Sequence, residues 1–158
     1  MPNVMRLRKG TERTIRAPIN QGVACSVGDL MFEDTDGSAK PAGLFTWTTD
    51  LPTTQAAFKA KFLGVSRDQR LGTEATAGTV LVDCSGCFEM VVAALGAQQE
   101  IGTLIGPDKQ SGNFLEPQKV AVAILAGAIG KTAERALAGA TVLQCELVSS
   151  KLFSGVPA

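Results

Sequence analysis

The sequence predicts a mainly β domain, a small barrel built from two related β-units with one short helix. Three observations carry that expectation. The first is an internal repeat. Val27-Gly28-Asp29-Leu30-Met31-Phe32 is answered by Ile101-Gly102-Thr103-Leu104-Ile105-Gly106. Each string is followed by a polar turn and then by Lys40-Pro41 or Glu116-Pro117. Next come Leu63-Gly64-Val65 and Ile129-Gly130, and last Gly78-Thr79-Val80-Leu81-Val82 and Gly139-Ala140-Thr141-Val142-Leu143. Landmarks that recur in the same order mark a duplicated supersecondary unit. The second observation is 17 glycines, which suit tight turns and bulges better than long helices. The third is period-two alternation, clearest where Val142, Gln144, Glu146 and Val148 face one way and Leu143, Cys145 and Leu147 the other.

Composition removes several function classes. The 158 residues form one domain long enough to bury a core. With 45% hydrophobic and 19% charged residues the chain is globular rather than disordered. Fifteen basic and fifteen acidic side chains cancel, so no direct nucleic-acid partner and no anionic membrane are expected. There is no histidine, which excludes Ser-His-Asp and Cys-His machinery and removes the commonest metal ligand. No apolar signal region follows the basic start, and the longest apolar run, 120–129, is too short to span a bilayer. The expected site of synthesis is a cytoplasm, and the expectation is a non-enzyme with no cofactor.

The elements follow in order. Residues 1–10 form an arm, 11–150 a single β-rich domain and 151–158 a short tail. In the arm, Arg6, Arg8 and Lys9 alternate with Met5 and Leu7 before Gly10. Such an extended alternation can add to a neighbour's sheet, so Met5, Arg6, Leu7, Arg8 and Lys9 are the candidate partner contact. Thr11 to Ile19 reads as a strand up to Pro18, and Val23 to Phe32 as another with a bend at Gly28. Glu33 to Ser38 reads as a hairpin turn; it lacks the length and terminal Glu of a calcium loop. A helix is expected over 53–62, capped by Thr49 or Asp50 with Pro52 in its first turn. Phe58 and Phe62 then share a face and plug the barrel end. Trp47, the only tryptophan, joins that plug or serves as a candidate interface anchor. Strands follow at 63–66, 79–92 (one or two, around Gly86), 101–105, 119–128 and 141–149. Loops or turns are expected at 67–78, 93–99 and 107–112.

Two motifs invite chemistry. Cys84-Ser85-Gly86-Cys87 has metal-like or redox-like spacing, but a zinc site needs two further ligands. Cys25 and Cys145 could supply them only if the fold gathers all four; otherwise the thiols are buried small hydrophobes. Gly127 to Thr132 ends like a phosphate loop, yet Leu125 stands where the first glycine is required. No metal site and no catalytic residue is expected.

The order arm, V-G-D-L-x-F, acidic turn, K-P-A, F-x-G-V, G-T-V-x-V, second I-G-x-L-x-G and x-I-G-K resembles the small head decoration proteins of tailed phages. The stretch 22–148 carries the likeness to these lambda-type proteins. The resemblance implies a β-tulip-like core and a structural virion protein, a capsid decoration or cement protein. It implies a homotrimer on the outside of the head, bound to the major capsid protein, stiffening the shell after assembly in the host cytoplasm. The segment 45–62 departs from that pattern as an insertion. Two other readings stand beside it. One is a small bacterial β-barrel binding or regulatory module, favoured by a monomer with a ligand-sized pocket. The other is a thiol enzyme using Cys84 and Cys87, favoured by depressed thiol pKa values or bound metal.

Overall fold

The computed structural model describes residues 7–151, with side chains from residue 13 onward. In chain order the elements are β1 (Leu7–Ile19), β2 (Leu30–Glu33), β3 (Ala39–Pro41), α1 (Leu51–Lys59), β4 (Phe62–Ser66), β5 (Gly78–Val92), β6 (Leu104–Lys109), β7 (Leu115–Val122), β8 (Gly130–Thr132) and β9 (Val142–Val148). Single 3-10 turns lie at Ala42–Leu44 and Leu125–Gly127. The protein is mainly β, with one α-helix among the described residues, and β5, β7, β6, β8 and β9 close into a five-stranded barrel.

The two units of the sequence are two copies of one topology. In the first, β2 pairs with β3 and β4, and β4 with β5. In the second, β6 pairs with β7 and β8, and β8 with β9. The correspondence extends to single hydrogen bonds. Gly28 N–H donates to Ser66 O at 2.9 Å, as Gly102 N–H does to Thr132 O at 2.9 Å. The Cys25–Arg70 bridge is matched by Gln99–Ala136. The hairpins close alike, through Asp34 N–H to Ser38 O and Gln110 N–H to Phe114 O. β5 serves both units. Its first half pairs with β1 as its second half pairs with β9.

Among the described residues only the second unit closes. There Val91 and Val92 of β5 pair in parallel with Lys119 and Val120 of β7. By register, Pro18 and Ile19 of β1 occupy the places of Val91 and Val92. Proline has no N–H to donate to a ladder and sits on sheet edges. Among the described residues β1 and β3 end as sheet edges, each carrying a proline, Pro18 or Pro41, that blunts it against stray pairing.

The units fill two cores. Ala17, Ile19, Cys25, Met31, Ala39, Leu63, Val80 and Val82 pack inside the open unit. The larger core holds the barrel interior, Ile105, Val120, Leu143 and Leu147 among others, together with Phe32, Phe45, Phe58 and Phe62. Inner-face residues correspond: Met31 to Ile105, Leu63 to Ile129 and Val82 to Cys145.

α1 is the piece present in one unit only. After Phe45 the first unit has 17 extra residues, 46–62, before Leu63, whereas in the second Ala128 runs straight into Ile129, the counterpart of Leu63. Asp50 caps α1 by accepting from Thr53 N–H at 2.9 Å, and Pro52 occupies the first turn. The helix packs on the Leu125–Gly127 turn and β6. Gln55, buried, donates from Nε2 to Pro107 O at 2.8 Å. Phe58 lies 5.3 Å from Phe45 and 5.7 Å from Phe62, ring centre to ring centre.

Several boundaries differ from expectation. The helix ends at Lys59, not at residue 62, because Phe62 is drawn into β4. Residues 23–29 are a bridge and turns rather than strand, so β2 begins at Leu30. Strand β6 covers 104–109, and the expected turn starting at Pro107 falls after Lys109. β5 is one strand through Gly86. The repeat also slips in two places. Pairing matches Pro41 to Val122, not to Pro117, and Val80 to Leu143, two residues from the match by glycine. Segment 125–132 is a 3-10 turn followed by a short strand, not the strand-to-helix setting of a phosphate loop.

Candidate interaction surfaces

The thiols come first, because they are the best nucleophiles the chain has. None of Cys25, Cys84, Cys87 and Cys145 forms a disulfide, and all four are buried. Cys25 belongs to the core of the open unit and Cys145 to the larger one, so the four do not gather around one point. Burial raises the pKa of Cys145 strongly, and desolvation likewise raises those of Cys25 and Cys84. A raised pKa leaves the thiol protonated and a poor nucleophile. Among the described residues no three Cys, Asp or Glu side chains are placed to hold a metal ion. Among them, too, no helix is long and apolar enough to cross a membrane.

The acidic turn between β2 and β3 is held by its own charges. Asp34 pairs with Lys40. Asp36 accepts from Ser38 Oγ at 2.6 Å, from Ser38 N–H at 2.9 Å and from Asn20 Nδ2 at 2.7 Å. Those bonds, led by the Ser38 hydroxyl, lower the Asp36 pKa from 3.8 to about 2. The sign follows. A depressed carboxylate pKa adds stability above the ordinary value, and that contribution fades as pH falls from about 3.8 towards 2. Carboxyl NMR should place the Asp36 midpoint near 2, and Ser38→Ala should move it upward. An unmoved midpoint in Ser38→Ala refutes this assignment of cause.

The sequence-predicted contacts fall as follows. Met5 and Arg6 lie outside the described residues. The backbone of Leu7, Arg8 and Lys9 begins β1, with Leu7 opposite Phe88 and Lys9 opposite Cys87. Trp47 is half-buried and packs against the larger core with one side. Lys109 Nζ stands 5.1 Å above its ring, a cation–π contact. The fold also exposes apolar residues that no sequence motif marks. Phe114, at the β6–β7 hairpin, and Leu44, in the 3-10 turn, are both more than half exposed. Gly43 lies against the ring of Pro117, which joins turn and hairpin into one surface. Leu44 and Phe114 lie far apart in sequence, which is why spacing alone does not mark them.

A groove of about 490 Å³ lies at the other end of α1 and β6. Phe62, Leu104, Leu125, Ile129 and Val148 form most of its apolar wall, with Lys59, Lys131 and Glu146 at the charged positions. Lys59 donates from Nζ to Leu125 O at 2.9 Å. Lys131 and Glu146 are cross-strand partners, both exposed. The groove sits where Ala128 meets Ile129, the junction at which the first unit carries its insertion. By register Leu104 and Lys131 correspond to Leu30 and Val65, which are completely buried in the first unit. What the first unit covers, the second leaves open.

Compared by sequence, the chain matches no protein-family model and no curated protein.

Proposed function

We propose that this protein is a structural virion protein, a decoration or cement protein that binds the outer surface of a tailed-phage head. On this reading it acts as a homotrimer, contacts the major capsid protein and stiffens the shell, with no catalytic step. The observation that carries the reading is the ordered set of shared motifs. Gly28 and Gly102 shape matching turns, Leu63-Gly64 and Ile129-Gly130 open matching strands, and together they frame one duplicated β fold. The physics suits it. A cement needs a rigid β core and self-complementary patches, and many weak contacts multiply through trimer valency. Zero net charge lets copies crowd a shell without strong repulsion. The arm, Met5 to Lys9, is the proposed capsid contact.

The test is solution mass by light scattering, then co-sedimentation with expanded heads lacking decoration. The expected mass is three times 16.4 kDa. Removing residues 1–10 should leave the mass unchanged and weaken head binding at least tenfold. A monomer that ignores the heads sinks the reading. It would bring forward the binding-module alternative, which the ligand-sized groove supports.

A further inference from the structure

We infer that the segment after Lys151 docks on its own chain, with Phe153 seated in the groove beside Leu125. The contact lies within one copy and does not depend on the trimer reading. Its first support is where the described residues end. Ser149, Ser150 and Phe62 all belong to the groove wall. Ser149 Oγ and Ser150 N–H each donate to Phe62 O at 3.0 Å, and Ser150 Oγ donates to it at 2.9 Å. Lys151 pairs with Glu33 at 3.4 Å. The point of departure is therefore fixed at the rim of the groove. Ser150 and Lys151 form a turn, with Lys151 N–H donating to Ser149 Oγ at 3.0 Å, so the chain bends after β9 instead of running on from it. From Ser150 to Phe153 the chain spans at most about 11 Å, which keeps Phe153 in range of its own groove and makes the contact intramolecular.

The chemistry fits. The sequence continues Leu152-Phe153-Ser154-Gly155-Val156-Pro157-Ala158, with two large apolar side chains first and no charge. The groove wall is mostly apolar, and its Leu125 is 71% exposed. Its charged groups already have neighbours of their own: Lys59 donates to Leu125 O, and Lys131 lies across the strands from Glu146. A neutral apolar segment therefore suits the groove better than a charged one. Burying Phe153 against Leu125 takes apolar surface out of water and strands no charge. The duplication gives an independent reason. Register matches Gly86 of β5 to Ser149, and counting on matches Met90 to Phe153. In the first unit the residues past Gly86, namely Phe88, Met90 and Val92, share one core with Leu30 and Val65. Leu30 and Val65 are the counterparts of Leu104 and Lys131 at the groove. By the same plan, the segment after Ser149 brings an apolar side chain to Leu104 and Lys131.

Nuclear Overhauser spectra of the full chain with labelled methyl groups test this. Contacts are expected from the Phe153 ring to the methyls of Leu125 and Val148. In an equimolar mixture of labelled and unlabelled chains, no such contact should cross between chains. Contacts found only between chains overturn the inference and make the occupant a second copy. A Phe153 ring with no contact to either residue overturns it outright. A thermodynamic cycle gives a second readout, from Leu125→Ser, Phe153→Ser and the two together, with Leu71→Ser as control. Leu125 and Leu71 are both exposed, so these variants should fold. Leu125→Ser and Phe153→Ser should each lower the folding constant about threefold or more, and the pair should fall no further than the stronger single. Leu71→Ser and Phe153→Ser should act independently. A Leu125→Ser without effect, or losses at 125 and 153 that simply multiply, would overturn the contact.

Discussion

Replacing Gly64 by alanine should destabilise the protein by about 3 kcal/mol or more, and Gly130→Ala should do nearly the same. The two glycines occupy equivalent places, in β4 opposite Met31 and in β8 opposite Ile105. A Cβ at Gly64 would run into the carbonyl oxygen of Asp83 in β5, and one at Gly130 into that of Glu146 in β9. Those obstacles are backbone, so relief requires moving a central strand rather than turning a side chain. Gly64 also has φ +146°, which an L side chain rarely adopts, so its substitution should be the costlier of the pair. Gly96→Ala is the control: nothing lies within 4 Å of its Cβ position, and the expected change is within about 0.5 kcal/mol. Urea unfolding with an unchanged slope measures all three. A loss below about 1 kcal/mol at both β4 and β8 would contradict the close approach.

Phe58→Ala should cost about 4 kcal/mol and lower the melting temperature by about 10 °C. The side chain is completely buried. It touches three other rings, at 6.0 Å from Phe32, 5.3 Å from Phe45 and 5.7 Å from Phe62. Truncation removes both the burial and the edge-to-face contacts with Phe32 and Phe45. It leaves a cavity between α1 and the strands that closes only if the helix shifts. Phe62→Ala should fall in the same range, whereas Leu71→Ala, at an exposed side chain, should change stability by less than about 0.5 kcal/mol. Equal losses at Phe58 and Leu71 would place the core elsewhere.

Much of the fold was legible because its rules are local. Gly28 and Gly102, both at positive φ, mark turns at the same point of each unit. The alternation of 142–148 reads directly as β9, buried on Leu143, Cys145 and Leu147. The Asp50 cap and Pro52 mark the start of α1. The misses share a different cause. The helix end depended on Phe62 joining β4, and the pairing of Pro41 with Met31 rather than a Pro117 counterpart depended on register. Neither is encoded near the residue concerned.

The candidate surfaces divide the same way. Trp47 stood out by composition, and it lies half-buried against the larger core beside Lys109. Phe114 and Leu44 did not stand out, since only the fold decides that these two apolar side chains stay exposed. The groove left no motif at all, because it arises from a missing segment between Ala128 and Ile129.

By itself the sequence determined the β class, the duplication, the capped helix and the lack of histidine chemistry. These depend on periodicity, glycine conformation and side-chain type, which each residue carries with it. Only the tertiary structure decided that one unit closes and the other stays open at Pro18. It alone decided that α1 of the first unit packs on the second, and that an apolar groove lies where α1 ends and β6 begins. Those outcomes depend on strand register and on contacts between residues far apart in the chain, and no local rule contains them.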